Sequence, residues 1–253
     1  MCRERTDLKG EMIRTKNIYF TATILIFLNG CVAYYPQVVD IPLIKQKGDL
    51  RINTGAFFIP NLNGTMYENG NSALSSFGFH ATFSAGITDF LAAQSYASFD
   101  GMARIHVQGA LGVYKGFENN TVIESYNGFG YGNGFGSALI RETLKDNYWL
   151  AFSQFNIGKT NVGAKKIDFG MGLKGGYLYT SLVETAPLDF FDDIIYKKNG
   201  WIMEPSLFFR CGKGKVKFNT TINYLWTDTI IDNYYFPLSV SMGVNFRIGK
   251  IPK

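Results

Sequence analysis

The 253-residue chain carries 25 Lys and Arg against 20 Asp and Glu, a formal charge of +5, with 28 glycines and aromatic residues at 16%. A charge this mild, with no basic stripe, gives no footprint for nucleic acid, so no nucleic-acid partner is expected. The three cysteines, Cys2, Cys31 and Cys211, form no CxxC or Cys/His cluster. Neither a disulfide framework nor a metal site is therefore expected, and no motif asks for a cofactor.

The chain opens with a charged stretch, residues 1–11, before a second methionine, Met12. Arg14 and Lys16 then precede an apolar run of about eleven residues, Ile18 to Leu28. That is the length of a secretory h-region and well short of the roughly 20 residues of a spanning helix. Leu28-Asn29-Gly30-Cys31 closes the run. Leu28, Gly30 and Cys31 resemble the lipoprotein box of bacterial envelope proteins, with Asn29 an uncommon residue at its place. The resemblance implies removal of residues 1–30, export, and a lipid on the sulfur of Cys31. Val32 is not the Asp that resembles an inner-membrane retention signal. The lipid would then lie in the inner leaflet of the outer membrane, beside the rest of the protein. Residues 31–48 read as an extended tether, stiffened by Pro36 and Pro42.

From Asp49 the hydrophobic period becomes two, and residues 49–253 read as one all-β domain. Leu50, Ile52, Ala56 and Phe58 face away from Arg51, Asn53 and Gly55 in the first strand. A polar loop, 60–76, follows. Phe77 to Ile87 alternates cleanly with Gly78, His80, Thr82, Ser84 and Gly86. A tight turn leads into a third strand, Phe90 to Phe99, whose faces are ambiguous. Asp100-Gly101 is a hairpin signal into the fourth strand, which presents Arg104, His106 and Gln108 on one face. The fifth alternates Gly128, Gly130, Gly132, Gly134 and Gly136 with aromatic residues and Asn. A long loop is expected at 132–146, a sixth strand over 147–158 and a seventh from Ile167. Then come a loop at 180–199 and an eighth strand over 200–211, where Pro205 predicts a bulge. A ninth strand covers 215–226. A loop over 227–237 precedes the last strand, 238–248.

The count is about ten. Long loops fall at one end and short turns at the other, the plan of an antiparallel, up-and-down transmembrane β-barrel. The non-apolar face offers Gly, Ser, Asn and scattered charges, as suits a crowded lumen rather than water. Arg51, Arg104, Lys174, Arg210 and Arg247 should point inward with Glu124, Asp168 and Glu204 and pair there, since an unpaired charge in a narrow lumen is costly. Trp149, Trp201 and Trp226, with Tyr177 and Tyr179, fall at the long-loop end, where an aromatic girdle would meet lipid headgroups. Ser241, Gly243, Phe246 and Ile248 resemble the C-terminal signal by which outer-membrane barrels are recognised for insertion, although five residues follow it. The whole chain from Cys31 is thus similar to outer-membrane β-barrel proteins. That likeness implies outer-membrane lipids and the barrel-insertion machinery as partners.

His80 and His106 are the only histidines. Ten-stranded omptin proteases use Asp and His at the rim, but no omptin sequence block is present, and Glu124 and Asp168 fall low in the barrel. A non-enzymatic surface or structural role through the long loops is the expectation. The alternatives are a narrow, porin-like passage for small solutes and a lipid-anchored soluble β-barrel holding an apolar ligand in the periplasm.

Overall fold

The computed structural model describes residues 34, 37–60, 76–101, 104–137, 143–163, 166–185, 194–228 and 238–249. The leader, Cys31 and the expected loop 60–76, apart from its end residues, lie outside them. The strands are β1 (Leu50–Ile59), β2 (Ser76–Gly86), β3 (Leu91–Asp100), β4 (Arg104–Gly116), β5 (Thr121–Ser137), β6 (Thr143–Val162), β7 (Ile167–Thr185), β8 (Ile194–Cys211), β9 (Val216–Tyr224), β10 (Trp226–Thr227) and β11 (Leu238–Ile248). Each pairs antiparallel with its neighbours, β1 joins β11, and β8 joins β9, which closes the ring. Segments β9 and β10 are two pieces of one stave, so the barrel has ten staves.

The break in that stave replaces the bulge expected at Pro205. Pro205 sits in regular register opposite Leu173 of β7. On the other side, the ladder runs from Met203↔Trp226 to Ser206↔Asn223 and skips the two positions between. Proline has no N–H to give to that ladder, so the pairing lapses without an inserted residue. The register shift that does occur lies between β6 and β7, at Lys159/Val162.

Two expected loops are largely strand. Thr143↔Thr185 and Glu184↔Ile194 carry the β6–β7 and β7–β8 ladders through most of 143–146, 180–185 and 194–199. Backbone pairing there continues past the end of the hydrophobic alternation, so the sequence period gives no sign of it. As a result β5 to β8 have 17 to 20 residues, whereas β1 to β4 have 10 to 13.

The exterior is apolar, and the lumen is polar except for an inward apolar cluster that includes Tyr126, Leu150, Phe152, Leu178, Ile202 and Leu225. Phe79, Leu111, Phe129 and Phe218 are between 61% and 73% exposed on the outside. All eight charges expected inward are buried. In β3, the ambiguous strand, the alternation places Gln94, Tyr96, Ser98 and Asp100 inside.

The expected tether is inside the barrel. Tyr34 and Gln37 to Ile44 are buried, and their partners lie on strands all around the ring. Tyr34 meets Tyr148 toward the long-loop end, and Ile44 meets Glu124 near the turn end. The chain then reverses through 45–49 into β1. Val39, Ile41 and Leu43 pack with Val122 and Phe208, which explains why a stretch read as a linker is so rich in Val, Ile and Leu. Leu43 takes a left-handed backbone, φ 57°, an uncommon conformation for leucine that its burial and its contacts hold in place.

Candidate functional site: the occupied lumen

A chain segment with no strand beside it must find hydrogen-bond partners elsewhere. Side chains of the barrel supply them. Gln94 and Gln154 both donate from Nε2 to the Asp40 carbonyl, at 3.1 and 2.8 Å. Arg210 Nη2 donates to the Ile41 carbonyl at 2.7 Å, and Arg51 Nη2 to the Leu43 carbonyl at 3.0 Å. The amides of Gln37, Val39 and Ile44 donate to Glu204, Asn223 and Glu124, at 3.2, 3.2 and 2.6 Å. The inward Gln, Asn, Glu and Arg thus form a lining matched to one extended peptide.

The charges pair as expected in kind but with partly different partners. Lys174 pairs with Glu204 on the next strand at 3.2 Å, as the inward list from the sequence allowed. Arg210 pairs with Asp40 of the threaded segment at 3.4 Å. Arg247 makes a two-pronged contact with Asp49, at 2.7 and 2.8 Å. Arg104 pairs with Asp100 on the adjoining strand. Asp168 takes Lys217 at 2.6 Å, with Arg51 4.0 Å away. Glu124 holds the Ile44 amide and Asn156 rather than a cation at salt-bridge distance. Asp40, Asp49, Asp100 and Lys217, which complete the set, had not been counted among the inward charges.

Between the turn-end ion pairs and the Arg104–Asp100 pair at the loop end lies an aromatic layer. The rings of Phe57, His80, Tyr96, His106, Tyr148 and Tyr34 follow one another with centroids 5.2 to 6.5 Å apart. Tyr148 Oη lies 2.7 Å from His106 Nδ1, and Gln108 Oε1 lies 3.4 Å from His106 Nε2. Among the described residues no carboxylate hydrogen-bonds either histidine. Gly132, at the middle of the β5 glycine run, finds its reason here. A Cβ on Gly132 would overlap the Tyr148 ring, so the bare backbone makes room for it.

The outer-face residues singled out from the sequence are where alternation put them. Trp149, Trp201, Trp226, Tyr177 and Tyr179 are 40% to 60% exposed. The staves bring them together: Tyr131 and Trp149 have centroids 4.7 Å apart, and Tyr177 and Trp201 5.2 Å. Of the C-terminal set, Ser241 is buried inside, while Phe246 and Ile248 face out. Gly243 sits opposite Gly55 at the β1–β11 seam, where a Cβ on either would collide with the other strand's backbone. Cys211 is an exposed free thiol.

No family model and no curated protein sequence matches the chain. Among solved structures it is similar to the outer membrane protein OprG from Pseudomonas aeruginosa, at 12% identity and a TM-score of 0.37. The overlap covers 81% of this chain and 98% of that one. An overlap of that quality carries no weight for function.

Proposed function

We propose that the protein is a non-enzymatic β-barrel of a bacterial outer membrane, its lumen closed by its own Tyr34 and residues 37–44, acting outward through the long-strand end. The observation that carries this reading is the inverted distribution of polarity. An exterior of large apolar side chains would be costly in water, at about 25 cal/mol for each Å² of apolar surface. It costs nothing against hydrocarbon, and inward polar residues complete the pattern of a membrane barrel. The aromatic cluster on β5 to β10 supports a girdle at the headgroup level. Cys31 would receive the lipid, and Ser241, Gly243, Phe246 and Ile248 would be read by the insertion machinery.

The occupied lumen favours a surface role over a resting channel. Small-solute passage would require segment 34–44 to leave. An apolar ligand in a soluble barrel would need an empty apolar interior, whereas this interior is charged and filled.

The test is electrophoretic mobility of the outer-membrane fraction, with and without boiling. A closed membrane barrel stays folded in cold detergent and shifts on boiling. Absence of a shift, together with release of the protein by Cys31→Ser, would overturn the membrane reading.

A further inference from the structure

At the turn end of the lumen a cavity of about 40 Å³ opens between the β6–β7 and β8–β9 turns. Three buried polar atoms on its lining residues have no hydrogen-bond partner among the described residues: Arg51 Nε, Thr160 Oγ1 and Asn245 Nδ2. Their side chains belong to residues that are 3%, 1% and 2% exposed. Two of the three atoms can only donate a hydrogen bond, and the hydroxyl can donate as well. Leaving such groups buried without a partner is costly, so a bound acceptor is favoured there.

The surrounding charge has the same sense. Arg51, Lys166, Lys215, Lys217 and Arg247 line the cavity with a single carboxylate, Asp168. Asp49, which touches Arg51 and Arg247, adds a second. Five cations therefore face two carboxylates. Lys45, in the adjoining turn, has its ammonium pushed below its ordinary range, by burial first and by Arg247 and Arg51 next. Donors without acceptors and cations in excess repel a metal ion and suit an anion. By volume, a water needs roughly 10–15 Å³, so the cavity has room for about three. That is the size of a four-oxygen anion and too small for a sugar or a nucleotide.

We propose that this mouth binds a small tetrahedral oxyanion of the phosphate or sulfate class, held by Arg51, Asn245 and Thr160 within the cationic rim. The ion has two possible sources, free in the periplasm or as the phosphate monoester of a lipid headgroup. Only the second rests on the membrane reading above.

The experiment uses the full chain, purified in phosphate-free detergent, titrated with inorganic phosphate by calorimetry. In parallel, thermal stability is compared in vesicles of phosphatidylcholine with and without phosphatidic acid. The variant is Thr160→Val with Asn245→Leu, which removes two groups that hold nothing else in the fold; cold-detergent mobility checks that it still closes. Saturable phosphate binding, competed by sulfate and weakened about tenfold in the variant, supports a free-ion site. No phosphate binding, but stabilisation by phosphatidic acid that the variant loses, supports a headgroup site. Neither effect, or equal effects in the folded variant, overturns the proposal whether or not the barrel spans a membrane.

Discussion

The two layers of the lumen grip the same segment by different physics. In the turn-end layer, Arg51, Arg210, Gln154 and Glu124 reach the backbone of Asp40 to Ile44 directly. In the loop-end layer, Tyr34 is held by one hydroxyl bond to Glu204 and by ring packing on Tyr148, and the peptide groups are reached by two longer bonds, from the Gln37 amide to Glu204 and from the Val38 amide to Tyr96. Directional bonds to peptide groups fix register, since a shift of one residue breaks all of them together. Ring packing tolerates sliding. The difference identifies the turn-end layer as the lock and the loop-end layer as the lid.

Removing the segment should have the largest effect. A chain lacking residues 34–44 is expected to conduct in planar bilayers where the full chain does not. Equal conductance of the two would show that the segment does not close the lumen.

Breaking the lock comes next. Arg210→Met strips Asp40 of its cation and Ile41 of its donor, and one-sided loss of a buried pair costs roughly 3–5 kcal/mol. Urea unfolding in lipid vesicles should show that loss, and the variant should flicker open in bilayers. In the lid, Tyr34→Phe removes a single hydroxyl bond to a charged acceptor, worth roughly 1.5–3 kcal/mol, and leaves the ring packing. If it destabilises the protein as much as Arg210→Met does, the distinction between lock and lid fails.

The smallest effect belongs outside. Trp149→Ala loses its ring pair with Tyr131, about 0.5–1.5 kcal/mol, and should leave conductance unchanged. Gly243→Val is a control on the seam: its Cβ meets the Thr54 backbone, and the fraction of protein that shifts on boiling should fall.

The inward and outward faces were legible because a barrel wall imposes a strict period of two, which put Arg51, Lys174, Glu204 and Arg210 on the correct side. The threaded segment has no period. Pro36 and Pro42 suggested a linker, and nothing local says that a linker runs through a ring. Two signals pointed there all the same. Val38, Val39, Ile41, Leu43 and Ile44 are too apolar for a wet tether. The eight inward charges read from the sequence also held five cations against three carboxylates. Asp40, Asp49 and Asp100, together with the equally uncounted Lys217, bring the two signs to six each. The upper parts of β6 to β8 were missed for another reason: with backbone pairing in charge, their side chains need not alternate. The turn-end cavity was invisible because it joins residues from β1, β6 and β11 across the closed ring, where no sequence spacing relates them.

The threaded segment also settles sidedness within the molecule. In a ring of ten staves, the start of β1 and the end of β11 lie at the same end, as the Leu50↔Ile248 pair shows. The reversal at 45–49 sends the preceding chain back up the bore, so Tyr34 lies toward the opposite end from Ile248. The sulfur of Cys31, at most about 11 Å of chain from Tyr34, would then carry a lipid toward the long-loop end, not in the leaflet beside the turns as Val32 had suggested.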